Sequence, residues 1–168
     1  MCGIVGLFAK STEIEDRLGA HLAAMLVQMS SRGPDSAGVA VYRDSAGSDA
    51  SKLTLYSGDP GESWGQVSDA LRDAFGECSE PSVRASHAVL VVGAEAEEAE
   101  SWVRANRPEL RVMSAGRVIE IYKEIGLPDE FARRFGLEDM RGTHALGHTR
   151  MATESRVTTE GSHPFSTG

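Results

Sequence analysis

Basic residues are scarce in this chain: 17 lysines and arginines stand against 25 aspartates and glutamates, a net charge of −8 over 168 residues. That balance excludes nucleic acid and anionic membranes as main partners, because both require a basic face. Cysteine is scarcer still, with only Cys2 and Cys78. Two thiols exclude a disulfide framework and imply a reducing, cytoplasmic setting. No apolar run approaches the roughly 18 residues of a membrane span. The stretch at residues 4–9 is too short for a signal-peptide core and has no basic segment before it. What is present is ordinary for a globular domain: 40% hydrophobic residues, enough for one domain with a real core.

Local patterning mixes strands and helices. The run Ile4-Val5-Gly6-Leu7-Phe8 is short, apolar and partly β-branched, and is expected as a buried strand. Ser11 and Thr12 signal a helix start, and Thr12 with Glu15 fits a capping box. Leu18, Leu22, Met25, Leu26 and Met29 then repeat at helical spacing as one core stripe. Arg32-Gly33-Pro34-Asp35 ends that helix, since Gly and Pro both resist continuing it. Residues 37–42 are expected as a strand, joined by a hairpin connection at 44–51 to another at 52–56. Beyond lie a helix at 64–75, a buried strand at 88–92, a helix at 94–105 and a strand at 110–113, the last three forming a small β-α-β unit. Ile119, Tyr122 and Ile125 predict a further helix, and Pro128 opens a short one through Phe135. The stretch from about 58 to 140 thus reads as an inserted α/β segment between two motif-bearing ends.

Chemistry concentrates at those ends. Cys2 directly follows the initiator methionine. Removal of Met1, which a small second residue permits, leaves one residue carrying both a thiol and a free α-amine. An amine of pKa about 7.7–8.0 can take the proton of a thiol of pKa about 8.5 near neutral pH. A nucleophile is then activated by its own terminus. The alternative is a small buried residue on a first strand. Two further patches stand out: Arg32-Gly33-Pro34-Asp35-Ser36-Ala37-Gly38, and Gly147-His148-Thr149-Arg150-Met151-Ala152-Thr153.

Together with Cys2-Gly3-Ile4-Val5-Gly6, and in this order from the terminus, these patches resemble the glutaminase domain of class II glutamine amidotransferases, which are N-terminal-nucleophile hydrolases. The resemblance covers the two ends of the chain and not its middle. It implies an α/β (α+β) fold, a four-layer αββα sandwich of two mainly antiparallel sheets, with residues 1–168 forming a single domain incomplete at its C-terminus. It implies Cys2 as the catalytic nucleophile toward the side-chain amide of L-glutamine. Arg150 would hold the substrate's α-carboxylate, a task suited to a planar bidentate fork. Thr153 would line the glutamine pocket. Arg32 would lie near the active site, the alternative being a turn in which Arg32 and Asp35 satisfy each other and nearby backbone. Gly33 and Gly38 would serve backbone geometry.

The resemblance also implies an ammonia-accepting synthase subunit or domain within a hetero-oligomer, most like the glutamate synthase or N-methylglutamate synthase type, with the glucosamine-phosphate synthase and phosphoribosylpyrophosphate amidotransferase branches sharing the same motifs. No phosphate-binding loop or flavin signature occurs, so no cofactor is expected in this chain and the acceptor site lies elsewhere. One expected element is missing. The family completes its oxyanion hole with an Asn-Gly pair, and the single asparagine here, Asn106, is followed by Arg107. The chain by itself is therefore expected to be weakly active or inactive. A metal site built from His144, His148, His163 and Cys2 is a rival reading. On a strand, however, four residues at about 3.3 Å each hold His144 and His148 roughly 13 Å apart, too far for one zinc. Two further rivals are a hydrolase of another amide and a non-catalytic regulatory domain that kept the fold.

Overall fold

The protein is described by a computed structural model over residues 2–152 and 157–166. In chain order the elements are β1 (Gly3–Phe8), α1 (Thr12–Asp16), α2 (Leu18–Gln28), a 3-10 turn (Ser30–Arg32), β2 (Ser36–Tyr42), β3 (Ser51–Tyr56) and α3 (Trp64–Phe75). They continue with β4 (Ser82–Arg84), β5 (His87–Val92), α4 (Ala96–Asn106), β6 (Arg111–Gly116), β7 (Ile119–Ile125), α5 (Pro128–Arg134), a second 3-10 turn (Leu137–Asp139) and β8 (His144–Arg150). The described residues thus form an α+β fold with two four-stranded sheets, ordered β1-β8-β2-β7 and β4-β5-β3-β6. No helix among them is long and apolar enough to cross a membrane.

The chain divides into two compact units. One comprises the residues up to Arg43 together with Ile121–Phe165, and the other is centred on Asp44–Glu120. In the first, β8 runs between β1 and β2 and is antiparallel to both, with Gly3 opposite Thr149 and Ser36 opposite Arg150. Alternation then assigns Val5, Gly147 and Val39 to one face. That face is covered by α2, whose Leu22 and Leu26 approach Val5 at Gly147. Leu18, Leu22 and Leu26 are fully buried, whereas Met25 is half-buried and Met29 caps the helix end.

In the second unit β3 is the central strand, antiparallel to β5 on one side and β6 on the other. β5, α4 and β6 do form a β-α-β unit, split by the insertion of β3 between its two strands. Leu53, Leu55, Val67, Leu71, Leu90 and Val103 make its core, with Trp64, Phe75 and Trp102 packed at the margin. The opposite side of β3 is buried but polar. Lys52 pairs with Glu120 at 2.9 Å, and Ser114 donates to Thr54 at 3.0 Å. A buried charge is tolerated only when paired in this way.

Four expectations are corrected. The N-cap is Ser11, whose Oγ accepts from the Ile14 amide at 3.4 Å; Thr12 is already helical, and the backbone at Arg17 (φ −114°, ψ 13°) separates α1 from α2. β1 is an edge strand with Ile4 68% and Phe8 65% exposed, because an apolar run does not report whether both faces are covered. β2 and β3 belong to different sheets, so residues 44–51 do not close a hairpin. Finally, Ile119, Tyr122 and Ile125 lie on strand β7 and not on a helix. Three apolar residues spaced by three fit either period over so short a stretch. The β-branched and aromatic content of the segment favours the strand.

Candidate active site

The antiparallel ladder gathers the sequence motifs at one end of the first sheet. Cys2 is exposed and immediately precedes Gly3, which faces Thr149. Arg150 closes the neighbouring strand β8, opposite Ser36 of β2. Cys2 and Arg150 therefore stand at the same end of adjacent strands, although 148 positions separate them in the chain.

The Arg32-Gly33-Pro34-Asp35 turn is laid directly along the backbone of Arg150. The Asp35 amide donates to the Arg150 carbonyl at 3.1 Å, and Pro34 forms a bridge to the same residue. A Cβ at Gly33 would collide with the backbone of Thr149 and Arg150, so the close approach demands glycine. The Asp35 carboxylate accepts from the Ala152 amide at 2.8 Å, and its carbonyl accepts from Gly126 at 2.9 Å. Asp35 thus ties the chain leaving β8 to the turn. It does not pair with Arg32, whose side chain is exposed and makes no polar contact among the described residues. The buried Thr149 hydroxyl donates to the Met29 carbonyl at 3.3 Å, anchoring β8 to the end of α2.

The Arg150 side chain is half-buried, and its Nη1 donates to the Gly161 carbonyl at 2.7 Å. Thr153 lies outside the described residues. His148 neighbours Arg150 on the same face of β8, and its ring packs on His163 at 4.5 Å. Burial, followed by the His163 and Arg150 charges, lowers His148 from 6.5 to about 4. Burial, Arg150 and Lys123 lower His163 as well. Both rings are accordingly neutral at pH 7. His144 lies at the far end of β8, stacked on Tyr42 at 4.0 Å, and both His144 and His148 lie on that strand.

This arrangement has a pH consequence. In the unfolded chain His148 binds its proton near 6.5, but in the folded protein only near 4. Its contribution is therefore full above pH 6.5 and is lost as pH falls toward 4. The melting temperature is expected to be lower at pH 5 than at pH 7, and His148→Leu to flatten that slope. An unchanged slope in the variant would contradict the assignment.

Sequence reasoning missed Lys123 and Thr159. Lys123 sits on β7, buried, with its Nζ on three backbone carbonyls of residues 160–164. Thr159 donates to the buried Glu124 carboxylate. No local pattern announces either contact, because both partners of each are defined only by the fold.

The fold and site define an α+β protein in which Cys2 and a strand-end arginine meet at one end of a sheet. No family model matches the chain. Over its full length, in an alignment of 169 positions, it is 46% identical to the glutamine amidotransferase-like protein GlxB of Rhizobium meliloti (strain 1021). Over 98% of its length it is 30% identical to a putative glutamine amidotransferase of Methanothermobacter thermautotrophicus. The chain spans 56% of the length of each of these relatives. Both names support a place among glutamine amidotransferase-like proteins.

Proposed function

We propose that this chain carries the glutamine-hydrolysing machinery of a class II amidotransferase. The observation that carries the reading is the convergence of Cys2 and Arg150 at one end of adjacent strands. The names of the two relatives agree with it. Once Met1 is removed, the Cys2 α-amine takes the thiol proton and the thiolate attacks the side-chain amide carbon of glutamine. The carbon–nitrogen bond then breaks, the amine returns its proton to the departing ammonia, and a γ-glutamyl thioester remains. Water hydrolyses that thioester, releasing glutamate and restoring the thiol. Arg150 orients the substrate through its α-carboxylate, Thr153 lines the pocket, and Arg32 borders it from the turn.

The Asn-Gly element is not among these 168 residues, so the reading assigns no oxyanion donor within them. The ammonia passes to a synthase partner of glutamate synthase or N-methylglutamate synthase type. The test is ammonia release by the protein carrying this chain, offered glutamine, a peptide-borne glutamine and a simple acyl amide. Release confined to free glutamine supports the reading. Equal release from the other amides assigns a different hydrolase. No release, with Cys2→Ala neutral to the partner's activity, leaves a non-catalytic domain.

A further inference from the structure

A strap of residues 157–165 lies against the first sheet, and its attachment is unusually specific. Lys123 is 3% exposed. Its Nζ donates to the carbonyls of Glu160 at 3.1 Å, Ser162 at 3.0 Å and Pro164 at 3.4 Å. It also stands 4.3 Å from the centroid of the Phe165 ring. An ammonium has three donors and no acceptor, so all three are used on this one segment. The carbonyls on either side of Gly161 go to Lys123, while that of Gly161 itself goes to Arg150 Nη1 at 2.7 Å. The strap is internally braced: the Gly161 amide donates to Thr158 Oγ1 at 3.0 Å, and Ser162 Oγ donates to the Thr158 carbonyl at 2.8 Å. A side chain at Gly38 would collide with the His163 carbonyl and with Lys123 Cβ, which shows how closely the strap passes over β2.

We propose that Lys123 is a positioning residue for Arg150: it latches the strap whose Gly161 carbonyl sets the orientation of the Arg150 guanidinium. A planar fork receives a carboxylate only in the right plane, so a released strap removes a contact that holds the fork in its plane. The proposal rests on the reading of Arg150 as the glutamine clamp. Burial also lowers Lys123 to about 8, the response of an ammonium taken out of water. Losing the three carbonyls would leave that charge buried without partners, so latch and strap stabilise each other.

The experiment compares Lys123→Met and Lys123→Arg with the parent, in the protein carrying this chain, by two readouts. The first is the rate of phenylglyoxal modification at Arg150, located by peptide mass spectrometry, with exposed Arg32 as internal reference. The second is KM for glutamine against kcat. Lys123→Met is expected to speed modification of Arg150 about tenfold, the scale of one charge-assisted hydrogen bond. It should raise KM about tenfold and change kcat by less than about twofold, the mark of lost ground-state binding. Lys123→Arg should recover most of both effects, and alkylation of Cys2 by iodoacetamide should stay at the parental rate throughout. Unchanged Arg150 reactivity in Lys123→Met, or equal defects in the Met and Arg variants, would overturn the proposal. A parent that leaves glutamine untouched would instead sink the functional reading, and Arg150 reactivity would still decide the latch. If Lys123→Met does not fold, Lys123→Gln is judged by the same two readouts.

Discussion

Cys2→Ser is expected to lower glutamine hydrolysis by roughly 10⁴–10⁶-fold, the scale seen when a nucleophile is removed from a site that works as a unit. The expected loss follows from acidity. A thiol is in general acidic enough to give its proton to an α-amine near neutral pH. A serine hydroxyl is a far weaker acid, so the same amine cannot generate its anion. Cys2 is exposed, and exposed substitutions of this kind usually change stability by no more than about 0.5 kcal/mol. A lost activity with an unchanged melting temperature is therefore the expected pair of results. Equal ammonia release by Cys2→Ser and the parent would remove the nucleophile from the mechanism.

Arg150→Met is expected to reduce kcat/KM for glutamine by about 10²-fold, mainly through KM. A charge-assisted hydrogen bond contributes about 1.5–3 kcal/mol, and a lost bidentate contact removes two at a cost of about 1.4 kcal/mol per tenfold. Arg150→Lys should recover only part of the loss, because an ammonium keeps the charge but not the fork. The Arg150 backbone contacts to Asp35 and Pro34 do not depend on the side chain, so the strand end should persist in both variants. A kcat defect with an unchanged KM would contradict a substrate-clamping role.

Much of the fold was legible where a segment's pattern is local. α3 matches its expected 64–75 range, and Pro128 opens α5 as expected from its position at a first helical turn. What failed was pairing. The Gly- and Ser-bearing stretch at 44–51 looks like a hairpin connection, yet β8 enters between β1 and β2 and β3 joins the other sheet. Strand partners are chosen by long-range burial, which a local pattern does not encode. The β7 segment was ambiguous for the same reason. Its charged residues Glu120, Lys123 and Glu124 are buried among partners distant in sequence.

The candidate site was legible through its motifs. The turn at Arg32–Asp35 and the strand end at Arg150 do meet, and Gly33 is glycine because two backbones touch there. The way they meet was not legible. Asp35 binds the Ala152 amide instead of Arg32, and the strap that fixes Arg150 is latched by a lysine 27 positions upstream of that arginine. Lys123 in the segment Ile119–Ile125 reads simply as a polar residue within an apolar stretch. Its function depends on carbonyls, which every residue carries and no sequence pattern distinguishes.

The central claim is that the terminal cysteine attacks glutamine. Its most direct measurement is mass spectrometry of the protein after treatment with a glutamine-derived electrophile. The account predicts a chain that begins at Cys2, with one adduct on its sulfur that excess glutamine prevents. A retained Met1, or an adduct on Cys78 with Cys2 unmodified, would contradict it.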